Sequence, residues 1–128
     1  MADVTPGERP LSPHLSIYRP QMTSISSILN RITGISLLLA VVLIVWWLLA
    51  AAISAEAYAL ANGVITSLLG DLVMALSLWA VWYHYLAGLR HLYFDAGNGL
   101  EIETAEKLGW VVVSGSVVLT ALSLIIIQ

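Results

Sequence analysis

The sequence predicts an all-α membrane protein of three transmembrane helices, forming part of a heteromeric helix bundle. Two observations carry the helical membrane class. Of the 128 residues, 59% are hydrophobic and only 10% are charged, and mean hydropathy is +0.90, too little polar surface to coat a water-soluble domain. Apolar runs recur three times, over about 31–53, 64–90 and 108–127, each long enough to cross a hydrocarbon core of ~30 Å. The heteromeric part of the prediction rests on a third observation, the placement of the histidines, developed below.

Composition also excludes function classes. Five Lys and Arg scattered over a chain of net charge −3 make no basic stripe, so nucleic acid is not an expected partner. The absence of cysteine removes disulfides, thiolate-held iron–sulfur clusters and cysteine nucleophiles from this chain. The N-terminal stretch is polar and lacks the Arg- and Ser-rich amphipathic character of a transit peptide. That favours a bacterial inner membrane over a mitochondrial one.

Taken in order, residues 1–21 hold all four prolines, Pro6, Pro10, Pro13 and Pro20, and show no helical periodicity. They read as an extended cytoplasmic arm preceding a three-helix domain over 22–128. Thr23 or Ser24 is the expected cap of the first helix. Its apolar run from Ile35 to Ile53 follows more polar turns from Ser26 to Gly34. Residues 54–63 read as a small-residue connection, helical and interfacial. The second helix is expected over about 64–94, and Gly97 and Gly99 end it. Asp71 and Arg90, nineteen residues apart, would be separated by about 28 Å and so mark its two interfaces. In the third span Ser116, Thr120 and Ser123 share a face suited to close helix packing. The five Trp and five Tyr read as interfacial or packing residues.

Basic residues set the topology. Arg9, Arg19 and Arg31 precede or open the first span, and Arg90 and Lys107 flank the loop over 96–107. The positive-inside rule then puts the N-terminus and that loop in the cytoplasm, with 54–63 and Gln128 in the periplasm. Ser27, Arg31, His84, Arg90, His91 and Asp95 consequently gather near one membrane face.

The segment His84–Asp95 carries the chemistry. His84, Gly88, His91 and Asp95 recur at i, i+4, i+7 and i+11 and share one helix face, which would be costly against lipid. An intramembrane histidine either hydrogen-bonds a neighbouring helix or, as neutral imidazole, ligates haem iron. His84 and His91 cannot clamp one iron. They lie about 10 Å apart along one helix, whereas axial ligands approach from opposite sides with bonds near ~2 Å. His14, in the arm, is no better placed. A six-coordinate haem at His84 therefore requires a ligand from another chain.

His91 and Arg31 lie on the cytoplasmic side, where either could meet haem carboxylates. Arg90 reads as an interfacial anchor. Gly88 either admits a flat ring or packs a helix. Ser27 and Arg31, one turn apart beside Ile28, offer a hydroxyl, a cation and an apolar wall. Those groups suit a quinone, whose carbonyl oxygens take donors and whose reduction develops negative charge. A helix-packing role for Ser27 remains the plain alternative.

The pattern His84-x-x-x-Gly-Leu-Arg-His-Leu-x-Phe-Asp-x-Gly97 resembles the signature of the cytochrome b556 membrane anchors of succinate dehydrogenase (respiratory complex II). Arg9-Pro-Leu-Ser-Pro-His-Leu-Ser-Ile-Tyr18 and Ser27-Ile-Leu-Asn-Arg-Ile-Thr-Gly34 are similar to that family's N-terminal signature. The resemblance implies three transmembrane helices, a second small anchor subunit, and docked iron–sulfur and flavoprotein subunits that carry the iron–sulfur clusters and FAD. It implies haem b ligated by His84 with the second ligand from the small anchor. It further implies haem propionates near His91 and Arg31, and ubiquinone at Ser27 and Arg31, with Ile28 as pocket wall. Asn30 departs from the pattern, since many members carry histidine there. A fumarate reductase anchor, another haem b quinone subunit and, from a different class, a small transporter are the alternatives. Transport sites usually lie near the midplane between repeats, whereas here the polar groups cluster at one end.

Overall fold

The computed structural model describes residues 17–127, so the expectations for the earlier arm, including His14, and for Gln128 lie outside the described residues. Four helices follow in order: α1 (Met22–Ile53), α2 (Ala55–Ile65), α3 (Leu68–Asp95) and α4 (Ile102–Ile127). Helices α1, α3 and α4 are long and apolar enough to cross a membrane. The all-α, three-span expectation stands. Helix α3 packs on both α1 and α4, and α2 folds back on α1.

The helices exceed their apolar runs. At ~1.5 Å per residue, the 32 residues of α1 span about 48 Å, well beyond a ~30 Å hydrocarbon core. The polar turns from Ser26 to Gly34 are thus the N-terminal extension of the same helix. Thr23 and Ser24 do not cap it. The helix begins at Met22 with Gln21 as N-cap and no side-chain cap bond, while the Ser24 hydroxyl is engaged by Tyr18 Oη at 2.6 Å.

The connection over 54–63 is helical, and α3 does not run on from it. Ser54 Oγ accepts from the Ala57 amide at 3.1 Å and starts α2. Ser67 Oγ accepts from the Gly70 amide at 3.1 Å and starts α3. These caps satisfy amide groups that a helix start otherwise leaves unpaired, which is why one expected helix from residue 64 divides at Thr66–Ser67. Trp47 Nε1 donates to Asn62 Oδ1 at 3.3 Å and holds α2 on α1.

The C-terminus of α3 closes as a Schellman motif. Gly97, at φ 78°, donates to Phe94 O, and Asn98 donates to Tyr93 O. The glycine takes the left-handed position without steric cost. Helix α4 begins at Ile102, one and a half turns before its apolar run, with Glu103 in its positive first turn.

Buried positions are mostly small: Ala40, Ala50, Ala61, Ala80, Ala87 and Ala105, with Ser26, Thr33 and Ser116. Large apolar side chains such as Leu38 and Ile126 face outward. This is the pattern of helices in lipid, where the hydrophobic effect does not favour burying Leu, so close approach and interhelical hydrogen bonds hold the bundle. On the α3–α4 seam Trp79 Nε1 donates to Ser116 Oγ at 3.1 Å, and Trp82 Nε1 donates to Ser123 Oγ at 3.0 Å. The serine face of α4 therefore receives tryptophan donors, and Thr120 bonds to the Ser116 carbonyl of its own helix. Tyr83, fully buried, centres the core with Ala87 and Val112.

Candidate functional site

The His84 ring lies against the N-terminal part of α1. Its Nδ1 is 3.1 Å from the carbonyl oxygen of Asn30 and 3.4 Å from Thr33 Oγ1. These distances assign the tautomer. A carbonyl only accepts, so Nδ1 must carry the proton and donate. The Thr33 hydroxyl meanwhile sits 2.8 Å from the Leu29 carbonyl and 3.0 Å from that of Asn30, so its single proton goes to them. In the neutral imidazole this arrangement leaves Nε2 free, the form in which the ring ligates a metal. Gly34 lets the ring come this close: a Cβ there would meet His84 Cε1 at 3.0 Å.

The rest of the histidine row is uncovered by this chain. A Cβ on Gly88 would meet nothing within 4 Å among the described residues, and His91 and Asp95 are exposed. An imidazole oriented through Nδ1, on a helix face left open at Gly88, fits a haem ligand. Among the described residues no cluster of three His, Cys, Asp or Glu could hold a metal ion of its own.

Arg90, expected as an interfacial anchor, makes interhelical contacts that its position did not suggest. Nη1 donates to Ser26 Oγ at 2.6 Å, Nη2 donates to the Ala105 carbonyl at 3.3 Å, and the guanidinium lies 4.8 Å from the Phe94 ring centroid. One side chain thus ties α3 to both α1 and α4. Tyr83 Oη adds a buried bond to the Ser26 carbonyl at 3.1 Å. A cation at this depth needs partners, and Ser26, next to the residue singled out in the sequence, supplies the first.

Thr23, Ser27, Arg90, His91, Phe94 and Leu100 line a pocket of about 260 Å³ where α1, α3 and the 96–101 turn meet. The structure so brings Ser27 and His91 together. Arg31 and Ile28 are exposed on α1 and lie outside this pocket's lining. Arg90 Nε is buried without a partner among the described residues, so a pocket-lining cation keeps one donor unspent. The pocket offers a hydroxyl, an imidazole and a guanidinium beside an aromatic ring, a donor set for an oxygen-bearing, partly flat ligand.

The pairing of His84 with Asn30, Thr33 and Gly34 was not read from sequence, nor was the role of Ser26. One signal for the former was present. Thr33-Gly34 is a small-residue pair at a depth matching His84, where a neighbouring helix can bring its ring close.

Fold and site together define a class: an integral membrane helical subunit presenting a half-buried imidazole held by a backbone carbonyl and a donor-lined pocket near one end of its bundle. The chain belongs to the succinate dehydrogenase/fumarate reductase transmembrane subunit family, whose model matches residues 5–123. It is 55% identical over 126 residues to the succinate dehydrogenase cytochrome b556 subunit of Paracoccus denitrificans, covering 98% of this chain and 97% of that one. It is 44% identical to the cytochrome b556 subunit of Rickettsia conorii, covering 90% of each. With the cytochrome b560 subunit of Reclinomonas americana it shares 36% identity over 92% of this chain and 85% of the relative.

Proposed function

We propose that this chain is the membrane-anchor and haem b subunit of a succinate:quinone oxidoreductase, helping to bind and reduce ubiquinone with electrons from an iron–sulfur subunit. The observation that carries this reading is the tautomer of His84, held by the Asn30 carbonyl at 3.1 Å in a chain of this family. The relatives named above are succinate dehydrogenase subunits, which supports succinate oxidation over fumarate reduction. The transporter alternative is set aside on the same ground.

His84 would hold haem b through Nε2, and a further protein ligand would come from a smaller anchor subunit, because no other histidine of α3 can reach the same iron. Bound there, the haem supplies a one-electron redox centre. His91 and Arg31 are the groups for its propionates. Ser27 donates to a quinone carbonyl oxygen, with Arg31 as a cation and Ile28 as an apolar flank. His91 lines the Ser27 pocket and is exposed, so it can pass protons from water towards that site. Reduction to quinol takes two electrons and two protons, and this chain provides donors and proton access rather than the electrons. FAD and iron–sulfur clusters belong to the flavoprotein and iron–sulfur partners, docked on the cytoplasmic side of a bacterial inner membrane.

Purification through a tag on this chain tests the reading. The intact complex should contain a flavoprotein, an iron–sulfur protein and a second small membrane subunit, and should reduce ubiquinone with succinate. Isolation of the chain without redox partners, or with substrate-coupled ion flux instead, would contradict it.

A further inference from the structure

The contacts that fix the His84 ring all come from a single turn of α1, and the proposed function leaves two of its residues, Thr33 and Gly34, without a role. Gly34 stands where a Cβ would reach His84 Cε1 at 3.0 Å, and the Asn30 carbonyl, one turn earlier, accepts from Nδ1. Thr33 Oγ1 shares that same carbonyl at 3.0 Å. A metal-ligating imidazole that donates through its other nitrogen becomes a stronger electron donor, and the strength of that hydrogen bond tunes the metal's potential.

Resting on the haem reading above, we infer that the Asn30–Gly34 turn sets the orientation and electron donation of His84. Gly34 and Thr33 act as positioning residues, Thr33 Oγ1 offering Nδ1–H a second acceptor at 3.4 Å while donating to the Asn30 carbonyl. Both act on the haem through His84 and touch no reacting atom. A methyl group at position 34 pushes the ring away by a few tenths of an ångström and lengthens its bond to Asn30. The imidazole then donates less to iron, the ferric state loses stabilisation, and the reduction potential rises. Replacing Thr33 by valine conserves shape but removes an acceptor of Nδ1–H and a donor to the Asn30 carbonyl together, so the potential is expected to leave the parental value.

The test uses the assembled, membrane-purified complex carrying Gly34→Ala, Thr33→Val or Gly63→Ala. The last places a methyl group where nothing lies within 4 Å among the described residues. Redox titration of the haem absorbance and the ferric haem electron paramagnetic resonance spectrum are read for each, beside succinate oxidation by a soluble dye as a measure of assembly. The expected result is a more positive midpoint for Gly34→Ala, a displaced one for Thr33→Val, shifted g-values in both, and parental behaviour in Gly63→Ala. If Gly34→Ala does not assemble, Thr33→Val decides alone. Parental midpoints and g-values in the assembled variants overturn the inference. A His84→Leu complex distinguishes the two levels. If it keeps the parental haem spectrum, the haem reading itself fails; if it loses that spectrum while the two variants remain parental, only the positioning role fails.

Discussion

The Arg90 guanidinium donates to the Ser26 hydroxyl at 2.6 Å, joining two helices across 64 positions of sequence. The same side chain reaches the Ala105 carbonyl, so the N-terminal parts of α1 and α4 and the C-terminal part of α3 meet on one cation. Ser27, the pocket hydroxyl, follows Ser26 directly, and the geometry of its pocket depends on this tie.

Ser26→Ala removes the acceptor of a charged donor and should cost about 1.5–3 kcal/mol. Arg90→Lys keeps the charge but loses the fork that serves two helices at once, and should be destabilising too. Thermal dissociation of the solubilised complex measures both. In a Ser26→Ala/Arg90→Leu double variant the loss should fall short of the summed losses of the Ser26→Ala and Arg90→Leu single variants by more than ~0.5 kcal/mol, since the pair is coupled. Simple additivity would show that the two residues act independently.

On the α3–α4 seam, Ser116 is fully buried and accepts from Trp79. Ser116→Ala should cost only about 0.6 kcal/mol, the usual value for an interhelical hydrogen bond in lipid. Ser116→Leu should cost far more, because the helices cannot approach around the added bulk. Equal heat stability of the two variants would mean that the seam is not close-packed in the membrane.

Two glycines beside the α2–α3 turn should respond oppositely to the same change. A Cβ on Gly70 runs into the backbone carbonyls of Val64 and Ile65, whereas one on Gly63 meets nothing within 4 Å among the described residues. Gly70→Ala should lower the yield of assembled complex, and Gly63→Ala should leave it unchanged or slightly improved through helix propensity. Similar yields would argue that the turn reshapes freely.

Much of this was legible in the sequence, and the remainder has a physical reason for being hidden. Three apolar runs specify three spans, and the turn glycine Gly97 specifies where α3 ends. The His84 row and Ser27 stand out because polar groups at such depth are costly without partners. Helix ends were less visible: Met22 opens α1 without a side-chain cap, and α4 starts within the polar loop. Hydropathy reports where lipid begins, not where the backbone becomes helical. Ser26 and Ser27 are adjacent in sequence and equivalent by residue type. Only the packing of α3 against α1 decides that Ser26 takes Arg90 while Ser27 faces the pocket. The bond from His84 to a backbone carbonyl has no side-chain signature at all.

The quinone site is tested by separating two electron acceptors. Ser27→Ala and Arg31→Leu should slow succinate–ubiquinone turnover, by about tenfold for each 1.4 kcal/mol of lost stabilisation, and leave succinate oxidation by a soluble dye near parental. The dye accepts electrons upstream, so the contrast isolates the pocket from assembly. Ser27 lines the pocket and Arg31 does not, so Ser27→Ala should show the contrast more strongly. Parallel loss of both activities would make the residues structural.

The measurement that bears most directly on the whole account is the reduced-minus-oxidised absorption spectrum of the complex carrying His84→Leu. The substitution keeps an apolar side chain in the span and removes both Nε2 and the donation to Asn30. The account predicts that the b-type haem bands disappear or are severely altered while the subunits remain assembled. An unchanged reduced spectrum, with normal haem content, would contradict it.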